Sequence, residues 1–175
     1  NISPIGVHDI GVSAASMWVP ASNAATPADT DFGTNVIRCK TMNFTSTTAD
    51  EKAQFSIPLP RNYNNGNIDV EIRYSFSSGA NNIVFGVRAL SLGDNDAIDT
   101  AWGTLAKVTD SSISSANQLN KITITGITIG NTPSDADEFM FELQRVGSDA
   151  NDTFTGTVRV HSVVVRITTD AGVAA

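Results

Sequence analysis

The side chains in this sequence best suited to chemistry are acidic residues in two short loops. The loops follow Gly93 and Gly147, and they carry five candidate calcium ligands: Asp94, Asp96, Asp99, Asp149 and Asp152. Calcium takes about six to eight hard oxygen ligands, which loops of this kind can supply. The spacing lacks the glycine and the distal glutamate of an EF-hand, and Asp and Asn commonly cap turns through bonds to nearby backbone N–H groups. The sequence therefore favours turn capping over a calcium site, and it predicts no cofactor.

Catalytic groups are sparse. The two histidines, His8 and His161, are too few and too isolated for a catalytic zinc site, which usually needs three protein ligands. No Gly-x-Ser-x-Gly elbow is present. Glu138 and Glu142 share a strand face, roughly 13 Å apart, which is too far for a retaining glycosidase pair. Carboxylates from different strands could still approach one another, but the sequence as a whole predicts a protein that is not an enzyme and has no catalytic residues.

Exposed aromatic side chains could stack on sugar rings, and the candidates are Trp18, Trp102, Tyr63 and Tyr74. Tyr74 lies in an alternating apolar face and is expected in the core. Trp102 follows the first acidic loop and is either a packing anchor or a binding residue. Aromatic residues make up 7% of the chain, so no sugar-binding platform stands out.

Charge and composition exclude several classes of partner. The 175-residue chain has a formal net charge of -7, and its few basic residues are scattered, which argues against nucleic-acid binding. No apolar run is long enough to span a bilayer, so no membrane partner is expected. The single cysteine, Cys39, lies in an apolar strand pattern and is expected to be a buried, inert thiol.

The stretch from 138 to 168 predicts two strands joined by the second acidic loop. In the first strand, Phe139, Phe141 and Leu143 alternate with polar residues, the period-2 pattern of a half-buried strand with its polar side facing out. In the second strand the apolar residues change parity after Val160, which predicts a bulge near His161 and Ser162, or else a central strand buried on both faces.

Similar alternation recurs along the chain, and no long segment has a helical apolar stripe. The sequence predicts an all-β fold: an antiparallel β-sandwich, with a jelly roll of about eight strands favoured over an immunoglobulin-type sandwich. Residues 1–33 are expected to form an N-terminal arm and loop, 34–170 the jelly roll, and 171–175 a C-terminal tail. The loop is expected from 20 to 33, and Asn65-Gly66 predicts a hairpin turn. Eight residues are expected to face the sandwich interior: Ile68, Val70, Ile72, Phe85, Val87, Phe139, Phe141 and Leu143.

The N-terminal arm is apolar but broken by Gly, Ser and Pro. Four of its residues are candidates for contact with a neighbouring subunit or another protein: Ile5, Val7, Met17 and Trp18. Burying larger apolar groups against a partner contributes roughly 1.5–3 kcal/mol each. The alternative, which remains open, is that the arm adds a strand to its own sandwich.

Several segments resemble, in order, a family of tailed-bacteriophage virion structural proteins. The segments are Ala53–Pro60, Phe85–Arg88, Asp94–Gly103, Phe141–Asp149 with Asn151–Thr153, and the closing strand Val163–Thr168. The resemblance implies a location on the surface of the virion, no catalysis and a homotrimer. It implies contact with the major capsid protein or with fibre and tail proteins. Capsid decoration, as a cement protein, is the first expectation. A tail- or head-fibre domain that binds a host-surface glycan receptor is the alternative.

Overall fold

Alternating apolar and polar residues build two antiparallel sheets, seen in a computed structural model that describes residues 6–60, 62–78, 81–111, 115–134 and 136–170. The strands in chain order are β1 (Gly6–Ser13), β2 (Thr26–Phe32), β3 (Ile37–Phe44), β4 (Asp50–Pro58), β5 (Tyr63–Phe76), β6 (Ile83–Leu92), β7 (Ala106–Asp110), β8 (Asn120–Ile127), β9 (Ile129–Gly130), β10 (Glu138–Val146) and β11 (Val158–Thr169). A single 3₁₀ turn, Ala14–Ser16, follows β1. Within the described ranges, no helix has the length and apolar character needed to cross a membrane.

The two sheets form the predicted all-β sandwich. Sheet A has the order β2-β3-β11-β5-β8, with β1 also paired to β11. Sheet B has the order β4-β10-β6-β7, with β9 paired to β6. The described part of the chain thus holds more strands than the eight expected, the additional ones being short or lying near the N-terminus.

The predicted core is confirmed, because all eight residues expected in the interior are fully buried. Aromatic rings fill much of the space between the sheets. Phe55 and Phe141 stack with ring centroids 5.0 Å apart, and Tyr74 packs edge-on against Phe85. The Tyr74 hydroxyl donates to Asp110 Oδ2 at 2.6 Å, and burial together with this carboxylate raises the pKa of Tyr74 well above its usual value.

The predicted bulge in the last strand is confirmed. The register between β11 and β5 shifts between Val160 and Ser162. His161 is the extra residue, and its Nε2 lies 2.8 Å from Ser75 Oγ. Burial, followed by the nearby Arg159 charge, lowers the pKa of His161, so folding favours the neutral imidazole.

The predicted loop 20–33 is wrong in its second half, which forms β2. There Ala28, Thr30 and Phe32 alternate with more exposed residues and pair along β3. Pro27 is tolerated because β2 is an edge strand. The first described part of the arm is β1, which pairs with β11 from Gly6 to Ser13, so for these residues the open alternative of an added strand is the observed arrangement.

The predicted hairpin turn at Asn65-Gly66 is also wrong. These residues lie inside β5, which pairs with β11 from Tyr63 onward and shows an irregularity between Ile167 and Thr169. The preceding strand β4 belongs to the other sheet, so the chain crosses between sheets rather than turning back on itself. Asn65 has a φ of 58°, the left-handed conformation that Asn tolerates. Here this conformation occurs at an irregular position inside β5 and not in a turn.

A fully buried ion pair fixes the loop between β10 and β11. Arg145 donates from Nε to Asp152 Oδ2 at 3.0 Å and from Nη2 to Asp152 Oδ1 at 2.7 Å, and neither side chain is exposed. The guanidinium also donates to the carbonyl oxygens of Phe154 and Gly156. Asp152 Oδ2 in turn accepts from the Val84 backbone N–H at 3.1 Å. The loop is thereby tied to both β10 and β6.

We predict that Asp152→Asn is strongly destabilising, because it leaves the buried Arg145 charge without a counter-charge. Breaking a buried pair from one side typically costs about 3–5 kcal/mol. Asp149→Asn is the matched control in the same loop, since Asp149 pairs with the exposed Lys107 and should change stability far less. Urea unfolding of both variants checks this, and equal losses in the two variants would contradict it.

Candidate functional site

Four side chains form a straight row across the outer face of sheet B. Gln54 on β4 lies opposite Glu142 on β10, and Glu142 lies opposite Arg88 on β6. Trp18 extends the row beyond β4, because its backbone pairs with that of Gln54. The Trp18 N–H donates to the Gln54 carbonyl oxygen at 2.9 Å, and the Gln54 N–H donates to the Trp18 carbonyl oxygen at 2.7 Å. Directly opposite residues project from the same face of a sheet, so the row runs across the strands. From Trp18 to Arg88 it spans roughly 14 Å, at the usual spacing between strands.

The Glu142 carboxylate is the centre of the row. It is only 2% exposed, and it accepts from Gln54 Nε2 at 2.9 Å and Gln144 Nε2 at 2.6 Å. Arg88 donates from Nε at 2.9 Å and from Nη2 at 2.7 Å. A buried carboxylate requires such compensation. The negative charge is therefore balanced within the row, which presents amide and guanidinium groups on a locally neutral surface.

A tryptophan lies at each end of the row. Trp18 is 41% exposed, and its indole Nε1 donates to Gln54 Oε1 at 3.2 Å. At the other end the Arg88 guanidinium carbon lies 5.2 Å from the ring centroid of Trp102, a cation–π contact. These two residues are the only tryptophans in the chain. We refer to Trp18, Gln54, Glu142, Arg88 and Trp102 as the tryptophan row.

Close backbone packing positions Trp102. The Gly103 N–H donates to the Ala89 carbonyl at 2.9 Å. A Cβ on Gly103 would lie 2.2 Å from the Thr128 carbonyl oxygen, and one on Gly130 would lie 2.5 Å from the Gly103 nitrogen. Only glycine allows the two chain segments to cross at this distance. The segment after β6 is thus held against β9, and this places Trp102 beside Arg88.

Most carboxylates of the two acidic loops accept hydrogen bonds from within the protein. Asp96 Oδ2 accepts from the Gly93 N–H and from Asn131 Nδ2, both at 2.9 Å, which ties the loop that leads to Trp102 onto the turn before β10. Asp94 accepts from the side chain of Asn95. Only the bond from the Gly93 N–H is of the turn-capping kind. Within the described ranges, no group of three or more potential metal-ligating side chains comes together.

In the second acidic loop, Asp149 accepts from Lys107 Nζ at 2.6 Å and from the Asn151 N–H at 3.0 Å. These bonds, the lysine first, hold the pKa of Asp149 below its usual value. Asp152 is committed to Arg145, so its assignment as a possible calcium ligand is wrong. Asp99, which belongs to the first acidic loop, is exposed and lies three residues before Trp102 in the chain.

The structure describes three of the four predicted partner-contact residues and places them differently. Met17 is 8% exposed and packs in the core of its own chain, so its assignment as a partner contact is wrong. Val7 is exposed on β1, and its contact with a partner stays a prediction. Trp18 lies in the tryptophan row, and Ile5 lies outside the described residues. The 171–175 tail also lies outside them.

Of the four aromatic candidates for sugar stacking, the two tryptophans lie on one surface and the two tyrosines are buried. Tyr74 is in the core as predicted, and Tyr63 is buried as well. Trp18 and Trp102 end on one surface although 83 residues separate them in the chain. The sequence analysis considered Glu142 only as a catalytic carboxylate and did not single out Gln54, Arg88 or Gln144. Glu142 was expected on the polar outer side of β10, and it is covered by its neighbours.

The fold is similar to that of several carbohydrate-binding modules of known structure. The xylan-binding module CBM15 is 19% identical, with a TM-score of 0.54, and covers 95% of this chain and 100% of its own. The CBM22-2 xylan-binding domain from Paenibacillus barcinonensis Xyn10C is 11% identical, with a TM-score of 0.53 and coverage of 92% and 98%. TmCBM27, a module that recognises mannan, is 8% identical, with a TM-score of 0.52 and coverage of 94% and 99%.

These similarities confirm the predicted jelly-roll sandwich. No protein-family model matches the chain, and a search of curated proteins finds no relative in sequence. At these identities the solved structures establish the fold alone.

We predict that Glu142→Gln destabilises the protein, because it removes the charge that balances Arg88 and weakens charge-assisted hydrogen bonds. Such bonds typically contribute about 1.5–3 kcal/mol. Glu138→Gln is the matched control, four residues earlier on the same face of β10 and half-buried, with an expected change within about 0.5 kcal/mol. Chemical unfolding checks the pair. A Glu142→Gln variant as stable as the control would show that the carboxylate does not hold the row together.

Proposed function

We propose that this chain is a non-catalytic glycan-binding domain that binds its ligand along the tryptophan row. The observation that carries the proposal is one face with an exposed indole, a half-buried indole and hydrogen-bonding side chains between them. Sugar rings offer an apolar C–H face and a rim of hydroxyls. Amphipathic aromatic surfaces can cover the face, and amide and guanidinium groups can donate to the hydroxyls.

The charge balance of the row supports a neutral glycan as the ligand. Glu142 is neutralised by Arg88, so the row itself offers no unpaired charge to an acidic sugar. The fold is shared with modules that bind xylan and mannan, and this supports neutral polysaccharides as the first ligands to test.

The glycan-binding proposal is compatible with the resemblance to virion structural proteins. The virion surface location, the homotrimer and the contacts with capsid, fibre or tail proteins all stay predictions. A glycan-binding domain displayed on a phage particle would attach that particle to host glycans, which is the receptor-binding alternative. The similarity in fold to carbohydrate-binding modules supports this alternative more than capsid decoration.

We predict that neutral oligosaccharides change the tryptophan fluorescence, because both tryptophans lie in the row. Titration of the wild type with xylohexaose and with mannohexaose measures this directly. Trp18→Ala and Trp102→Ala should each weaken binding by about tenfold or more, the usual effect of removing an anchoring Trp. Val7→Ala is the control, an exposed apolar residue on sheet A. Binding to the variants is measured by calorimetry, because each Trp→Ala variant has lost one of the two fluorophores. Tryptophan variants that bind as tightly as the wild type would contradict the proposal.

We also predict that affinity rises with the number of sugar rings. The two indoles lie at opposite ends of a row that spans roughly 14 Å between Trp18 and Arg88 alone, so a monosaccharide can contact only one end. Affinities for mono- to hexasaccharides of one series, compared in the wild type and in Trp18→Ala, check this. The longer ligands should lose their advantage in the variant, whereas equal affinity at all lengths would indicate a single-ring site.

A further inference from the structure

A groove lies on the outer face of sheet A. Strand β3 pairs with β11 only from Met42 to Phe44, so the rest of the β2–β3 ribbon is joined to no other strand of the sheet. Phe32, near the end of the ribbon, contacts His161 of β11 with ring centroids 5.8 Å apart. The ribbon borders the groove, which has a volume of about 580 Å³. This volume is in the range of small-molecule sites.

Apolar side chains line the groove from two directions. The ribbon contributes Phe32, Ile37 and Cys39, and the segment before β8 contributes Leu119. Ile37 is 56% exposed and Leu119 is 59% exposed. Cys39, expected to be buried, is only half-buried here, because the ribbon leaves the sheet. An apolar ligand would remove these side chains from water, which favours binding.

Two arginines lie on the outer face of sheet A at this groove: Arg73 lines it, and Arg159 lies beside it, in contact with the lining residues Asn117 and Phe32. Arg159 lies opposite Ser75 in the register of β11 and β5, and Arg73 lies two residues before Ser75, which makes the two arginines diagonal neighbours, their Cα atoms roughly 7–8 Å apart. Arg73 donates a hydrogen bond from Nε to Glu71 Oε1 at 2.7 Å. Among the described residues, Arg159 contacts neutral groups: it donates to Asn117 Oδ1 at 3.2 Å and lies 6.0 Å from the Phe32 ring centroid.

No carboxylate in the described part of the chain pairs with Arg159. This is notable in a chain with a net charge of -7. Ser75 and His161 are bonded to each other, so these two polar groups of the groove are already engaged, whereas the Arg159 guanidinium faces no carboxylate of the described residues. A carboxylate is the ligand group that matches guanidinium geometry, because it accepts two parallel N–H bonds.

We propose that this groove binds a small monocarboxylate with an apolar body. The apolar body lies between the ribbon and Leu119, and the carboxylate pairs with Arg159, with Arg73 alongside. The site is separate from the tryptophan row, which lies on the other sheet, and it does not depend on the glycan-binding proposal.

The single cysteine provides a test, because Cys39 lines the groove. Octanoate, kept below its micelle concentration, should slow the alkylation of Cys39 by the uncharged reagent iodoacetamide in a saturable way. Octanol and octylamine are the matched probes, with the same chain but without the carboxylate, and they should protect Cys39 far less. Unchanged tryptophan fluorescence during the titration would show that the fold and the tryptophan row are undisturbed.

Substitution of Arg159 tests the charge recognition. Arg159→Gln should weaken octanoate binding by about tenfold or more, and Arg159→Lys by less, because lysine keeps the charge without the bidentate geometry. Methyl NMR of Ile37 and Leu119 gives a second measure of binding that does not require cysteine chemistry. Equal protection by octanol, an unchanged affinity in Arg159→Gln, or no saturable shift of these methyl groups would each overturn the proposal.

Discussion

The alignment of strands β4, β10 and β6 places Gln54, Glu142 and Arg88 side by side, and the candidate site depends on it. A carboxylate with almost no exposure must have its charge and lone pairs satisfied by its neighbours. A slip of one residue in any of these strands would turn that strand's own member of the row to the opposite face. The ends of the row depend on the same alignment, because Trp18 binds the Gln54 amide and Trp102 packs on Arg88.

Strand β10 links this site to the rest of the sandwich, because it carries a satisfied charge on each face. Glu142 organises the outer face of sheet B, and three residues later Arg145 binds Asp152 in the interior. The same strand also contributes Phe139, Phe141 and Leu143 to the core. Because β10 is anchored in the core, the side chains of the row are ordered before a ligand binds, and less conformational entropy is lost on binding.

Local patterns predicted the fold well and the site poorly. Alternation along single strands identified the core and the bulge at His161, because both are properties of one strand and its two faces. The tryptophan row depends on the register between distant strands: Gln54 and Glu142 are 88 residues apart, and Arg88 and Glu142 are 54 apart. Turn chemistry misled at Asn65-Gly66, where a left-handed residue serves an irregularity inside β5, and polar composition concealed β2, an edge strand that buries little.

The central claim is that one face of sheet B binds glycan through the two tryptophans at the ends of the row and through Arg88 between them. The most direct measurement is NMR of three side-chain N–H groups, the two indoles and Arg88 Nε, during titration with the neutral oligosaccharide that binds most tightly. We expect all three resonances to shift together and to give one dissociation constant. Glycan binding that leaves all three unchanged, or no binding by any neutral oligosaccharide, would contradict the account.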